Sequence, residues 1–215
     1  MLCAAARFVL THRPAKLTTM HKLFVPITFL SLLAVGCSST SSKSSQPSQE
    51  EMMAAWQRAA TPGPEHRALD AFVGTWNAAV TSWWDPNGPP DVSTGTMTNS
   101  WILDGHHLEQ RFSGNMGGQP FSGVGTWGFD VAAGEYYGTW QDSMSTSLML
   151  SRGPRSKDGK TFELFSTNTD PMTGKAARGE ELIVIENPNR HKMTMWEIRD
   201  GQRVKSMEIV YERVR

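Results

Sequence analysis

Two groups of residues carry side chains that could do chemistry. The first is Leu33-Ala34-Val35-Gly36-Cys37, at the end of a short apolar run. It reads as a lipobox, where bacteria attach lipid to a cysteine and cleave just before it. Gly36 is the small residue that the peptidase needs, and Cys37 would become the lipidated first residue of the mature chain. Each buried acyl CH₂ contributes about 0.8 kcal/mol, so several chains on one cysteine anchor stably where one is marginal. The second group is weaker. His106 and Gln110 share a strand face with Leu108 and Phe112, and Trp127 and Trp140 lie on glycine-containing aromatic faces. Side chains of this kind suit a small, largely apolar ligand held by a few oriented hydrogen bonds.

Other catalytic patterns are absent. The sequence has no Gly-x-Ser-x-Gly elbow, no Gly-x-x-x-x-Gly-Lys-Ser/Thr loop and no His-Glu-x-x-His. No catalytic residue is nominated. His106 and His107 are adjacent, so on a strand they point to opposite faces and could not easily serve one metal. His107 and Glu109 share a face but lack a third ligand, and a solvated strand face accounts for them. No metal site is expected.

The chemistry needs elements to position it. Residues 1–36 read as a signal peptide: His21 and Lys22 give a polar, positive start, and Leu23 to Val35 is too short to span a bilayer. Met20 stands where a start codon would give a signal of ordinary length, making Met1–Thr19 a mis-start or an extended leader. Residues 37–49 are almost all Ser, Thr, Gln, Lys and Pro, a tether with nothing to bury. Ser38 is not the Asp that commonly retains lipoproteins in the inner membrane. The expected location is therefore the cell envelope, with the outer membrane, facing the periplasm, favoured in a host with two membranes.

Charge narrows the partners. Four of the 21 basic residues and none of the 21 acidic ones precede Cys37, which leaves 17 against 21, or −4. That argues against nucleic acid. Of the two cysteines, Cys3 leaves with the signal and Cys37 is modified, so no disulfide is expected. The partners expected are a membrane, through Cys37, and a small apolar ligand. Oligomeric state is not encoded in any pattern we can read.

Residues 50–73 predict two short helices, broken at Pro62-Gly63-Pro64. From residue 74 to 215 the texture is strands and turns. The predicted strands are 74–84, 93–103, 106–114, 120–129, 135–142, 145–152, 160–168, 178–186, 191–199 and 203–213. Asp104-Gly105, Gly117-Gly118, Asp158-Gly159 and Asp200-Gly201 are hairpin signals. Ten sequential antiparallel strands with short links predict an all-β fold, a single up-and-down barrel whose closure removes exposed edges.

Asp70-Ala71-Phe72-Val73-Gly74-Thr75-Trp76, a short helix leading into Gly-x-Trp, resembles the calycins: lipocalins, fatty-acid-binding proteins and nitrobindin-like domains. The wider pattern resembles the bacterial domain-of-unknown-function family 1579. It comprises Leu69 to Trp76, Asp104-Gly105, Gly118 to Gly123, Gly128-Phe129-Asp130, Thr139 to Ser143 with Ser145-Thr146, and Met207 to Tyr211 with Arg213. The resemblance implies a calycin-like barrel and no established activity. By similarity to lipocalins, Trp76 would plug one end of the barrel beneath Arg213, a structural role. Fatty-acid-binding barrels hold a carboxylate with an Arg and a Tyr on the last strand; Tyr211 and Arg213 stand here in reversed order. Nitrobindin-like barrels bind haem through a late-strand histidine. His191 begins the ninth predicted strand, but its neighbours do not match, so no cofactor is expected.

Three functions stay open. The first is a lipid-anchored barrel binding a small apolar or amphipathic ligand. The second is an envelope platform with a filled interior. The third is an enzyme with polar residues hidden inside the barrel, which buried titratable groups of perturbed pKa would favour.

Overall fold

The computed structural model describes residues 46–215. The signal, Cys37 and most of the tether lie outside them. Helix α1 (Gln49–Ala59) starts at a capping box, in which Ser48 Oγ accepts from the Glu51 amide at 3.2 Å and Glu51 accepts from the Ser48 amide at 2.7 Å. Pro64 opens α2 (Pro64–Arg67), where its missing N–H is harmless. A 3-10 turn, Ala68–Phe72, follows.

The rest is a closed ten-strand antiparallel barrel in which each strand pairs with its sequence neighbours and the first pairs with the last. The strands are β1 (Gly74–Ser82), β2 (Asp91–Ile102), β3 (His107–Met116), β4 (Gln119–Asp130), β5 (Glu135–Asp142), β6 (Met149–Gly153), β7 (Thr161–Thr169), β8 (Ala176–Asn187), β9 (Arg190–Arg199) and β10 (Gln202–Arg213). The closing seam runs from Trp76 opposite Arg213 to Ser82 opposite Met207. Asp200 and Gly201 both have positive φ, 50° and 77°, the backbone of the two-residue turn that matches strand twist.

One predicted strand is much shorter than its pattern. Residues 143–148 are turn rather than strand, and β6 keeps only five residues. Asp142 Oδ1 accepts from the Met144 amide at 2.9 Å and Ser145 Oγ from the Ser147 amide at 2.9 Å. Side chains here take the amides that a ladder would need.

Two apolar clusters fill the barrel. One gathers the 3-10 turn's Leu69 and Phe72 against Leu108, Trp127, Phe162 and Ile183. The other runs from Trp76 through Ala78 and Val80 to Phe112, Ile209 and Tyr211. The 3-10 turn caps the end where β1 begins, so that end is sealed.

Candidate functional site

The seal is built from one backbone carbonyl. Phe72 O accepts from Trp76 Nε1 at 2.8 Å and from Asn99 Nδ2 at 2.9 Å. Trp76 is 1% exposed. The Arg213 guanidinium lies 4.0 Å from its ring and donates to Val73 O at 2.5 Å, Ala71 O at 2.9 Å and Pro188 O at 3.0 Å. Gly74 makes the entry possible. Its φ is +115°, and a Cβ there would sit 2.9 Å from an Arg213 guanidinium nitrogen.

The opposite half differs. Facing inward there, Trp140, Met149, Met193, Met195 and Met207 all keep partial exposure, whereas Leu108, Phe162 and Ile183 near the seal keep 1% or less. Water therefore reaches these five side chains, while Ser82, Met116, Phe121 and Ser166 in the same half are buried. The inner glycines do not leave that space empty. A Cβ on Gly123 would meet the Trp140 ring at 2.1 Å, and one on Gly95 would meet the Phe112 ring at 2.3 Å. The aromatic rings lie flat along the wall in notches that only glycine provides.

Polar groups are set into this lining. Glu181 is 3% exposed, and its Oε1 accepts from Ser151 Oγ at 2.5 Å. Burial pushes its pKa up to about 7, against the Ser151 bond, which lowers it. Tyr211 is buried, and burial together with the nearby Glu181 charge raises its pKa. His191 stacks on Tyr211 at 4.5 Å and meets Trp76 edge-on at 4.3 Å. Its Nδ1 has no partner among the described residues, and burial pushes its pKa down to about 3, aided by Arg213. It is a neutral ring. Gln110 is 8% exposed.

The four residues nominated for a pocket separate. Gln110 and Trp140 sit on one rung of the wall, both facing Gly125. Trp127 belongs to the sealed half, 5.0 Å from Phe72. His106 is not in the lumen. It caps the 3-10 turn Leu103–Gly105, one residue before β3 begins, so strand alternation does not apply to it. Its Nδ1 faces Leu103 O at 2.6 Å and Nε2 faces Ala60 O at 2.9 Å. Two carbonyls ask both nitrogens to donate, which raises its pKa. His107 bonds the Tyr137 hydroxyl on the outer face, while Glu109 forms a two-pronged ion pair with Arg111. No group of three or more His, Cys, Asp or Glu is gathered to hold a metal among the described residues.

Sequence parity reached Gln110 and Trp140 but not Glu181 or Ser151. Glu181 is hidden by Leu182-Ile183-Val184-Ile185, a run with no alternation to reveal which face is inner. Two surface grooves touch none of the nominated four. One, of about 660 Å³, crosses β2, β1 and β10 on the outside; the other, of about 570 Å³, lies between α1 and Val131.

The sequence model of a family described as a protein of unknown function (DUF1579) matches residues 61–213, and the chain belongs to that family. Rv2717c from M. tuberculosis is 16% identical with a TM-score of 0.52, the match covering 72% of this chain and all of that one. The likeness is one of fold. A redesigned β-barrel, b11L5F_LGL, is 17% identical with a TM-score of 0.39, covering 69% of this chain and 96% of its own. Another, mFAP1 bound to DFHBI, is 16% identical with a TM-score of 0.38, covering 68% and 99%. No curated protein matches the chain.

Proposed function

We propose that this barrel is a lipid-anchored envelope protein that takes a small, largely apolar ligand into the half of its lumen away from the Trp76 seal. The observation that carries the ligand reading is a row of inward side chains away from the seal, Trp140, Met149, Met193, Met195 and Met207, that keep partial exposure beside buried Phe121, Ser166 and Glu181. A cleft of apolar walls with few placed polar groups is the usual form of a small-molecule site. Nile red, a neutral apolar dye, tests it. The wild type should take up the dye saturably at one site. Met193→Trp, which places bulk at mid-lumen, should lose uptake while remaining folded. Absence of saturable uptake by the wild type would leave the second reading, an interaction platform, which the outer groove of about 660 Å³ favours.

The anchor rests on Leu33-Ala34-Val35-Gly36-Cys37 and the polar tether behind it. Radiolabelled palmitate should enter the wild type in its host and not Cys37→Ala. Equal labelling of both would remove the anchor from the account. With lipid on Cys37, the outer membrane facing the periplasm is the expected site in a host with two membranes.

A further inference from the structure

We propose that the lumen's ligand is a small organic cation, an ammonium group on an apolar body, seated with its charge against Glu181. The inference rests on the lumen reading and names the chemistry of its occupant.

Glu181 is a carboxyl taken out of water without a positive partner. Ser151 satisfies Oε1, and no Lys, Arg or His forms an ion pair with either oxygen among the described residues. A buried carboxyl in that position must take a proton or meet a cation. The groups around it offer none. From β10, Tyr211 presents a neutral phenol, and Met207 a thioether. From β9, Met193 and Met195 are apolar, and His191 is held neutral. From β7, Leu164 and Ser166 carry no charge. Arg213 lies at the sealed end over Trp76, committed to three carbonyls. Lys205 and Arg203, beside the mouth, pair with Glu208 and Glu180.

The second charge on this inner face has the same sign. Asp142 shares the face of Trp140 and holds that ring's Nε1 at 3.2 Å. An anionic ligand would meet two carboxylates and no cation. A cation meets Glu181 and the partly exposed Trp140 ring, whose face attracts positive charge. Gln110, on the same rung as Trp140, adds an amide to this wall. Met195, the cross-strand neighbour of Glu181, keeps partial exposure, so the approach to the carboxyl is from the mouth. With its pKa near 7, Glu181 gives up its proton when a cation arrives.

The test uses the full lipoprotein in discs of uncharged lipid, with empty discs as the blank. Phenethylamine, phenethyl alcohol and phenylacetate share one aryl body and are cationic, neutral and anionic at neutral pH. Calorimetry should rank the amine at least about tenfold tighter than the alcohol, as expected of one charge-assisted hydrogen bond, with phenylacetate weakest. Amine binding should release protons, seen as heat that varies with the buffer's ionisation enthalpy. Glu181→Gln should erase the gap between amine and alcohol, since the two share every other contact. If the alcohol or phenylacetate binds as tightly as the amine, or the gap survives in Glu181→Gln, the cation is overturned while the lumen stands. If none of the three binds but Nile red does, the cation is likewise overturned. If Nile red also fails, the lumen reading falls with it. Should Glu181→Gln not fold, the wild-type ranking alone decides.

Discussion

Arg213 shows how much one side chain can hold. Its planar fork reaches three carbonyls from two segments while its face covers Trp76. A lysine keeps the charge but has neither the fork nor the flat face. Arg213→Lys should therefore destabilise the barrel by about 1–3 kcal/mol, the scale of losing hydrogen bonds to a charged donor. Trp76→Ala empties the space beneath and should cost about 3–5 kcal/mol. Urea unfolding followed by circular dichroism measures both. A Lys variant as stable as the wild type would show that charge alone suffices. Legibility at this scale follows locality. Gln110 and Trp140 lie in strands whose alternation is clear, so their shared wall could be read from parity. His106 could not be placed, because parity depends on knowing where a strand begins, and β3 begins one residue later. Glu181 could not be found because a continuous apolar run hides its face, and its Ser151 partner is 30 residues away.

Among the strands, β6 is the weak member. It has five residues and meets β7 on three rungs, Leu150–Thr167, Ser151–Ser166 and Arg152–Phe165, while β7 meets β8 on nine. Local opening follows the fewest backbone bonds and the least packing. Amides of β6 should exchange fastest among the strands in hydrogen-exchange mass spectrometry. Protection of β6 equal to that of β9 would refute this. The glycine notches make a second expectation at this scale. Gly123→Ala places a methyl where the Trp140 ring lies, so the ring must leave the wall. Overpacking of that kind costs about 1–3 kcal/mol, and Trp140 fluorescence should shift with it. Hairpin turns and strand number were legible because Asp-Gly and Gly-Gly pairs are local signals. The length of β6 was not, because residues 143–148 carry no Gly or Pro to mark a turn and only their side-chain hydrogen bonds reveal it.

The whole molecule sums two buried groups that titrate in opposite senses. Burial pushes Glu181 up from 4.5 to about 7, against its Ser151 bond. Burial, aided by Arg213, pushes His191 down from 6.5 to about 3. The folded state keeps the Glu181 proton after the unfolded chain has released it. That contribution is complete below pH 4.5 and is lost as pH rises to about 7. The folded state refuses the His191 proton that the unfolded chain accepts. That contribution is complete above pH 6.5 and is lost as pH falls to about 3. Each slope is about 1.4 kcal/mol per pH unit. Between 4.5 and 6.5 they run opposite ways and cancel, so the pair gives a plateau with losses on both sides. Glu181→Gln removes one slope and leaves the other. Relative to the wild type, the variant should gain about 3 kcal/mol from the acid to the neutral edge of that window. Taking the difference between the two proteins removes the exposed carboxylates that both share. Urea midpoints across pH, read by tryptophan fluorescence, measure it. A difference that does not change with pH would mean that Glu181 keeps an ordinary carboxylate's pKa inside the barrel. The lumen would then hold a permanent, solvated charge instead of a buried one that a proton or a ligand must neutralise.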